Sequence, residues 1–384
     1  MSTVLVTGGA GFVGSHLVDA LLRRGDRVRV LDSLDPQAHE NGIAAHLSPE
    51  AELIAGDLRD AATTGRALDG VEVVYHQAGM VGNGQSMYEM HRYVDVNGGG
   101  TAVLLEQALR RRQVLRRIVA ASSMVVYGEG AYRCAEHGVV APGLRRGADL
   151  EMARWEPRCP SCGDVVSAVA TREDHPLQPT SPYAISKRTC EELVLTAGAA
   201  HGLETVALRY LNVYGPRQAL SNPYTGVAAI FATQLLSGRR PVIFEDGLQR
   251  RDFVHVSDVV RANLRAAQAP QAPGNAFNVG TGTSITVRDL ALRLAALLGR
   301  ADLQPDLTGS FRAGDIRHCW ADVARARDVL GFTATADREA ELRRLAEWVS
   351  EQCPVDRTAA AFAELATRGL IRPANASASP TGRR

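Results

Sequence analysis

No run of apolar residues approaches the roughly 20 needed to cross a bilayer. The start passes almost at once into the strand-like TVLVTGG, with neither a basic leader nor a cleavable apolar segment. A cytoplasmic protein with no membrane contact is expected. Charge of one sign is also missing: 43 Lys and Arg face 42 Asp and Glu, a formal net charge of +1. No global field therefore draws in nucleic acid or anionic lipid. Cysteine is sparse, six in 384 residues, and three of the six crowd into one region. In a reducing compartment that clustering favours metal binding over a disulfide framework. Internal repeats are absent. What remains is an ordinary globular composition, 45% hydrophobic and 22% charged. The length supports a substantial core and two closely associated domains.

The first half alternates short apolar runs with amphipathic stretches, the pattern of a parallel sheet covered by helices. VLVTG, RVRVLD, AELIAGD, VEVVYH, RRIVAASS and TVALRY read as successive strands. GSHLVDALLRRG reads as the first helix, ended by Gly25, and TAVLLEQALRRR and YAISKRTCEELVLTAGAAHG read as later ones. The expected fold is α/β: a doubly wound parallel sheet over residues 1–215, interrupted by an insertion at 129–175, then a smaller interleaved domain over 216–368. Residues 253–281, with FVHVSDVVRANLRAA and AFNVGTG, are expected to return to the first sheet, and the polar tail 369–384 to be disordered.

TGGAGFVGSHL places Gly8, Gly11 and Gly14 at a strand-to-helix turn, with Phe12 and Val13 opening the helix. Glycines there let backbone approach a pyrophosphate whose charge meets the helix N-terminus. Asp32 follows at the end of the next strand, where a carboxylate accepts from both ribose hydroxyls and repels a 2′-phosphate. The pattern predicts a Rossmann domain that binds NAD rather than NADP.

SPYAISK supplies Tyr183 and Lys187, one helical turn apart on one face, and SSMVVYG supplies Ser123. A free tyrosine, with a pKa of ~10, is a poor base at neutral pH. A nearby ammonium and a positive nicotinamide ring favour the phenolate, so Tyr183 can take a hydroxyl proton. Ser123 is expected to hydrogen-bond the same oxygen, and Lys187 to hold the nicotinamide ribose.

These motifs resemble the extended short-chain dehydrogenase/reductase family, specifically its nucleotide-sugar epimerases and dehydratases, over residues 2–350 apart from the insertion. The resemblance implies that Asp57 and Leu58 contact the adenine and that Ala78, Gly79 and Asn97 line the cofactor cleft. For Asn97 a packing role is equally open. It further implies that Asn212 reaches the sugar or diphosphate, that Arg251 and Arg312 clamp the diphosphate, and that Phe244 packs on the base. Cys319 falls where the family tunes sugar size. In the family's dehydratases an Asp-Glu pair follows the serine, and in its decarboxylases a glutamate occupies the second position. Here Met124, on the substrate side, and Val125 follow Ser123 and cannot transfer protons. A C4 epimerase is the reading that remains. SNPYTG, IFEDGLQRRDF, GDIRHCWAD and the insertion resemble the bacterial dTDP-L-rhamnose 4-epimerase group. That resemblance implies interconversion with dTDP-6-deoxy-L-talose through a 4-keto sugar with tightly bound NAD. A 4-ketoreductase, or an epimerase of a UDP-sugar, is the alternative. The family also implies a homodimer built from the Tyr183 helix and the helix around Thr101–Arg112.

Ser123 and Tyr183 must meet at one hydroxyl, yet 60 positions separate them. The excess is too long for a structureless loop and too poor in apolar residues for a core of its own. It carries C-x2-H…C-x2-C, formed by Cys134, His137, Cys159 and Cys162. That set predicts a closed, structural tetrahedral zinc, with Gly163 permitting the turn after the second pair. Metal-free cysteines and a redox-active CPSC pair are the alternatives. Between Glu129 and Asp174 lie six Arg, no Lys and eight Asp or Glu, which is no phosphate-binding surface.

Overall fold

In a computed structural model that describes residues 2–39, 42, 44–352 and 354–374, all six expected strands form: β1 (Thr3–Thr7), β2 (Arg27–Asp32), β3 (Glu52–Ala55), β4 (Val73–His76), β5 (Arg117–Ser123) and β6 (Glu204–Tyr210). With β7 (Asn275–Val279) they make a seven-stranded parallel sheet in the order β7-β6-β5-β4-β1-β2-β3. Alternate side chains serve opposite faces. Val4, Val6, Val30, Tyr75 and Val119 join one buried cluster, and Leu5, Leu31, Val74 and Ile118 join the other. Burial on both faces explains the near-continuous apolar runs of β1, β4 and β5, whereas the edge strand β3 is largely exposed. Chain direction across the sheet reverses between β1 and β4, where Thr7 lies opposite His76. Loops leaving those two strands therefore diverge and leave a crevice.

The first helix runs Phe12–Arg23, and Gly25 follows it with φ +88°. The helix carrying Tyr183 spans Pro182–His201, and its start is encoded locally. Ser181 caps it by accepting from the Ala184 amide at 3.1 Å, Pro182 supplies a preset first turn, and Gly202 ends it with φ +68°. The expected helix around Thr101 runs Gly100–Leu109 and is preceded by a π-helical segment, Val94–Gly99.

Three expectations about boundaries need correction. Within 253–281 only β7 joins the main sheet. Phe253–His255 pairs instead with Asn212–Tyr214, and Val256–Gln268 is a helix over the sheet, as the 3.6-residue spacing of its apolar positions allows. Beyond that span, Ile316, Ala326, Leu330 and Phe332 also enter the large-domain core. The tail is ordered further than its polarity implies, because Ile371–Pro373 pairs antiparallel with Ser310–Arg312. Residues 375–384 lie outside the described residues.

A second core is built from Val227–Leu236, Val287–Leu297 and Arg338–Ser350 through Phe231, Leu235, Leu290, Leu294, Leu342 and Leu345. The insertion forms a small antiparallel sheet of Tyr132–Cys134, Gly138–Val140 and Ser167–Ala168. Its own core is only Tyr132, Cys134, Cys159 and Val166. No described helix is long and apolar enough to cross a membrane.

Candidate active site

A cleft of about 1310 Å³ follows the carboxyl ends of the strands from the β1–β4 crevice to the smaller domain. Gly8, Gly11, Phe12, Val13, Gly14, Asp32, Asp57, Leu58, Ala78 and Gly79 line one end. The glycine turn is as tight as the sequence requires. Gly8 has φ +67°, and a Cβ on Gly14 would lie 2.1 Å from the Gly8 carbonyl oxygen. Asp32 accepts from the Ala10 amide at 3.0 Å and the Leu34 amide at 2.9 Å. Burial on its own raises this carboxyl, but the hydrogen bond from His39 and those two amides hold it below the ordinary value. His39 and His46 line the same end, and neither carried a signal in the sequence.

Asn97 is not among the cleft-lining residues. Its Oδ1 accepts from the Met80 amide at 2.7 Å, and its Nδ2 donates to the Met80 carbonyl at 3.1 Å and to Ser186 Oγ at 2.9 Å. It braces the Ala78–Met80 loop from behind, so of the two roles open in the sequence the packing one fits.

Ser123, Met124, Tyr183 and Lys187 meet at the middle of the cleft. Ser123 ends β5 and caps the following turn, accepting from the Val125 amide at 3.3 Å. Burial pushes the Tyr183 phenol up to about 12, and hydrogen bonding with Ser123 works in the opposite direction. Lys187 is buried, donates to the Ala121 carbonyl, and has its pKa lowered by burial. It is the only lysine in the chain, since every other Lys or Arg position is arginine. An arginine stays charged at any physiological pH and holds a flat, forked geometry. A compact, buried ammonium that donates to the Ala121 carbonyl is what distinguishes this one position.

The substrate-side residues gather at the other end. Asn212 lines the cleft, and its buried Oδ1 has no partner. A ligand hydroxyl is one group that would satisfy such an acceptor in a cleft-lining residue. Arg251 donates to the Ile316 carbonyl at 2.6 Å and the Arg317 carbonyl at 2.8 Å. Arg312 pairs with Asp315 at 2.8 Å and lies over the Phe244 ring, 4.9 Å from its centroid. Two further lining residues gave no sequence signal: Phe362, edge-on to Phe244 at 5.3 Å, and Gln249, whose buried Oε1 is unpartnered. Cys319 is fully buried in the large-domain core and does not line the cleft. Its side chain is not where sugar size would be sensed.

The four insertion residues converge. The potential ligand atoms of Cys134, His137, Cys159 and Cys162 all lie within 4.8 Å of one another. Cys134 Sγ is 3.5 Å from His137 Nδ1 and 3.6 Å from Cys162 Sγ, and Cys159 Sγ is 3.6 Å from His137 Nδ1. A tetrahedron with Zn–S of about 2.3 Å and Zn–N of about 2.0 Å has S···S edges near ~3.8 Å and S···N edges near ~3.5 Å. The donor set and spacing therefore fit zinc. Gly163 takes φ +80° in the turn after the second pair.

A doubly wound sheet with a tight glycine turn, an acid ending the second strand, and a Ser, a Tyr and a Lys one helical turn from it gathered mid-cleft defines an extended short-chain dehydrogenase/reductase. The sequence matches the NAD dependent epimerase/dehydratase family over residues 4–140 and 161–280, with the break falling inside the insertion. The chain belongs to that family. It is 34% identical to a dTDP-L-rhamnose 4-epimerase of Burkholderia thailandensis over 91% of this chain and 95% of the relative. It is 35% identical to a UDP-glucose 4-epimerase of Mycolicibacterium smegmatis over 85% and 92% of the two chains. Among solved structures, UDP-glucose 4-epimerase of Thermotoga maritima with UDP-glucose superposes with a TM-score of 0.74 at 31% identity, covering 90% of this chain and 98% of that one.

Proposed function

We propose that this enzyme is a nucleotide-sugar 4-epimerase that interconverts dTDP-L-rhamnose and dTDP-6-deoxy-L-talose. The observation that carries the reaction type is the pair Met124-Val125 beside Ser123, at a cleft where Ser123, Tyr183 and Lys187 meet. Neither side chain can donate or accept a proton, so elimination and acid-assisted decarboxylation lack their groups. The glycine turn with Phe12 and Val13, together with Asp32, Asp57, Leu58, Ala78, Gly79 and Lys187, would hold NAD. When bound, NAD supplies a hydride acceptor and then a hydride donor.

Tyr183, as phenolate, takes the proton from the C4 hydroxyl while Ser123 donates to the same oxygen. Lys187, one helical turn along the same helix, would supply a positive charge that offsets the phenolate in a buried site. The 4-keto sugar turns over in the cleft, and Tyr183 returns the proton to the opposite epimer. Phe244 packs on the base, Arg251 and Arg312 face the diphosphate, and Asn212 offers its unpartnered oxygen to the sugar. The deoxythymidine and 6-deoxy sugar rest on the resemblance of the substrate-side segments and on the Burkholderia relative. Similarity to UDP-glucose 4-epimerases supports a UDP-sugar as second reading.

The test follows C4 configuration by NMR for dTDP-L-rhamnose and UDP-glucose separately, without added cofactor. Appearance of the 6-deoxy-talose epimer is expected. Conversion of the UDP-sugar alone reassigns the substrate, and stoichiometric demand for reduced cofactor makes the enzyme a ketoreductase.

The reading includes one structural zinc on Cys134, His137, Cys159 and Cys162, supported by the ligand-atom spacing. Metal analysis of protein purified without added zinc should find one equivalent, and well under one refutes it. It also includes a homodimer through the helices Gly100–Leu109 and Pro182–His201, supported by the half-exposed Ile185 on the latter. Light scattering that finds a monomer refutes that part.

A further inference from the structure

The insertion does more than bridge Ser123 to Tyr183, because its charged side chains run into the backbone that carries the substrate-side residues. Arg145, buried on the long loop between the two metal-ligand pairs, places Nε 2.9 Å from Glu129. It donates to both Glu245 oxygens, at 2.7 and 3.0 Å, and to the Asp315 carbonyl at 3.0 Å. Glu245 is the neighbour of Phe244 and has φ +58°, a backbone region disfavoured for any residue with a Cβ. It stays there with its carboxylate gripped by Arg145 and by Arg317, the latter at 3.2 Å. The Asp315 carboxylate in turn holds Arg312, and the Ile316 and Arg317 carbonyls hold Arg251. Phe244, Arg312 and Arg251 thus hang on two short segments that Arg145 ties together.

The candidate metal ligands sit next to the other anchors of the same network. Two residues before Cys134, Tyr132 donates its hydroxyl to Glu129, which accepts from the Arg317 amide. Three residues before Cys159, Glu156 pairs with Arg317 at 2.7 Å and His318 at 3.1 Å. An insertion whose own core is four residues cannot hold these anchors by packing alone.

We propose that Arg145 is a positioning residue for the nucleotide-diphosphate end of the cleft, and that a metal clamp on the insertion holds it in place. The proposal rests on the nucleotide-sugar and zinc readings above. It makes metal occupancy and nucleotide affinity linked properties of sites that share no ligand. NAD binding, at the far end of the cleft, lies outside the linkage.

The full-length protein, Arg145→Lys, Arg145→Met and metal-stripped wild type are compared for zinc content, NAD affinity, and dTDP and UDP affinity by titration calorimetry. Arg145→Lys keeps the charge but loses the fork, and remains informative if Arg145→Met does not fold. The expected result is nucleotide binding weakened on the order of 10-fold in Arg145→Lys and further in Arg145→Met. NAD affinity should stay within about twofold and zinc should be unchanged in both, because neither site is touched. Metal stripping should reproduce the nucleotide loss and spare NAD. Wild-type nucleotide affinity in Arg145→Lys, or an equal loss of NAD, overturns the positioning role. Metal-stripped wild type that keeps full nucleotide affinity overturns the clamp. Wild-type protein that binds neither nucleotide overturns the proposal together with the functional reading beneath it.

Discussion

Two alanine substitutions, three residues apart in the glycine turn, should fail in different ways. A Cβ on Gly14 would lie 2.1 Å from the Gly8 carbonyl oxygen and 2.7 Å from the Gly9 Cα. Both neighbours are backbone, so the turn must open by about 1 Å to restore contact distance, an overpacking cost of about 3 kcal/mol. With an unfolding entropy of about 2.1 cal/mol/K per residue, 384 residues unfolding together would lose about 4 °C in Tm. On Gly11 the same atom meets only the Gly8 oxygen, at 3.4 Å, and the backbone there (φ −74°, ψ −176°) suits alanine. Gly11→Ala should therefore leave the cofactor-free Tm unchanged or slightly raised. Its methyl group would instead occupy the space through which a pyrophosphate reaches the helix N-terminus. Losing one charge-assisted backbone hydrogen bond costs about 1.5–3 kcal/mol, or about 10- to 150-fold in affinity. Calorimetric melts of NAD-stripped protein and NAD titrations separate the two effects. Wild-type NAD affinity in Gly11→Ala, or a wild-type melt in Gly14→Ala, would refute this account of the turn.

Tyr183→Phe should lower kcat by about 10²- to 10⁴-fold while NAD stays bound, measured by turnover and by cofactor content. Burial outweighs Ser123 and leaves this phenol at about 12, and the positive nicotinamide ring would lower it, so kcat in the NAD-loaded wild type should rise with pH and level off below 12. In Ser123→Ala the inflection should move to higher pH, and an unmoved profile would remove Ser123 from the proton path. Amine-acylating reagents should modify no internal residue but Lys187, and bound NAD should slow that reaction, as peptide mapping would report. Burial raises the Glu156 carboxyl, but His318 and Arg317 outweigh it and hold the group at about 2 rather than 4.5. Its contribution to stability is therefore present above pH 4.5 and lost as the pH falls toward 2. The Tm gap between wild type and Glu156→Gln should close over that same interval, and a gap constant with pH would contradict it.

What the sequence disclosed and what it withheld follow from the range of the signals. Of the six strands before Leu211, five are legible as mostly buried runs between turn residues, and the largely exposed edge strand Glu52–Ala55 is legible only from its place in the alternation. The Tyr183 helix announces itself through Ser181, Pro182 and Gly202, all local chemistry. The C-x2-H and C-x2-C pairs likewise carry their geometry in their spacing. By contrast, Phe362 reaches Phe244 from 118 positions away, and Arg145 reaches Glu245 from 100, with no motif around Phe362 or Arg145. For Asn97 the sequence leaves the cleft and a packing role equally open, and for Cys319 it offers only an analogy of position, whereas depth decides both. One is turned into a loop brace and the other is sealed in the core. The strand at Ile371–Pro373 has no local signature, because its partner, Ser310–Arg312, lies in another part of the chain.

The solitary Lys187 has a consequence outside catalysis. Proteins usually scatter amines over their surface, and those amines are the handles for acetylation, peptide-tag conjugation, crosslinking and immobilisation. This chain offers one internal amine, and it is buried in the cleft between Ser123 and the cofactor end. Any enzyme or reagent that marks proteins through lysine therefore has a single internal target in this chain, and that target lies inside the cleft.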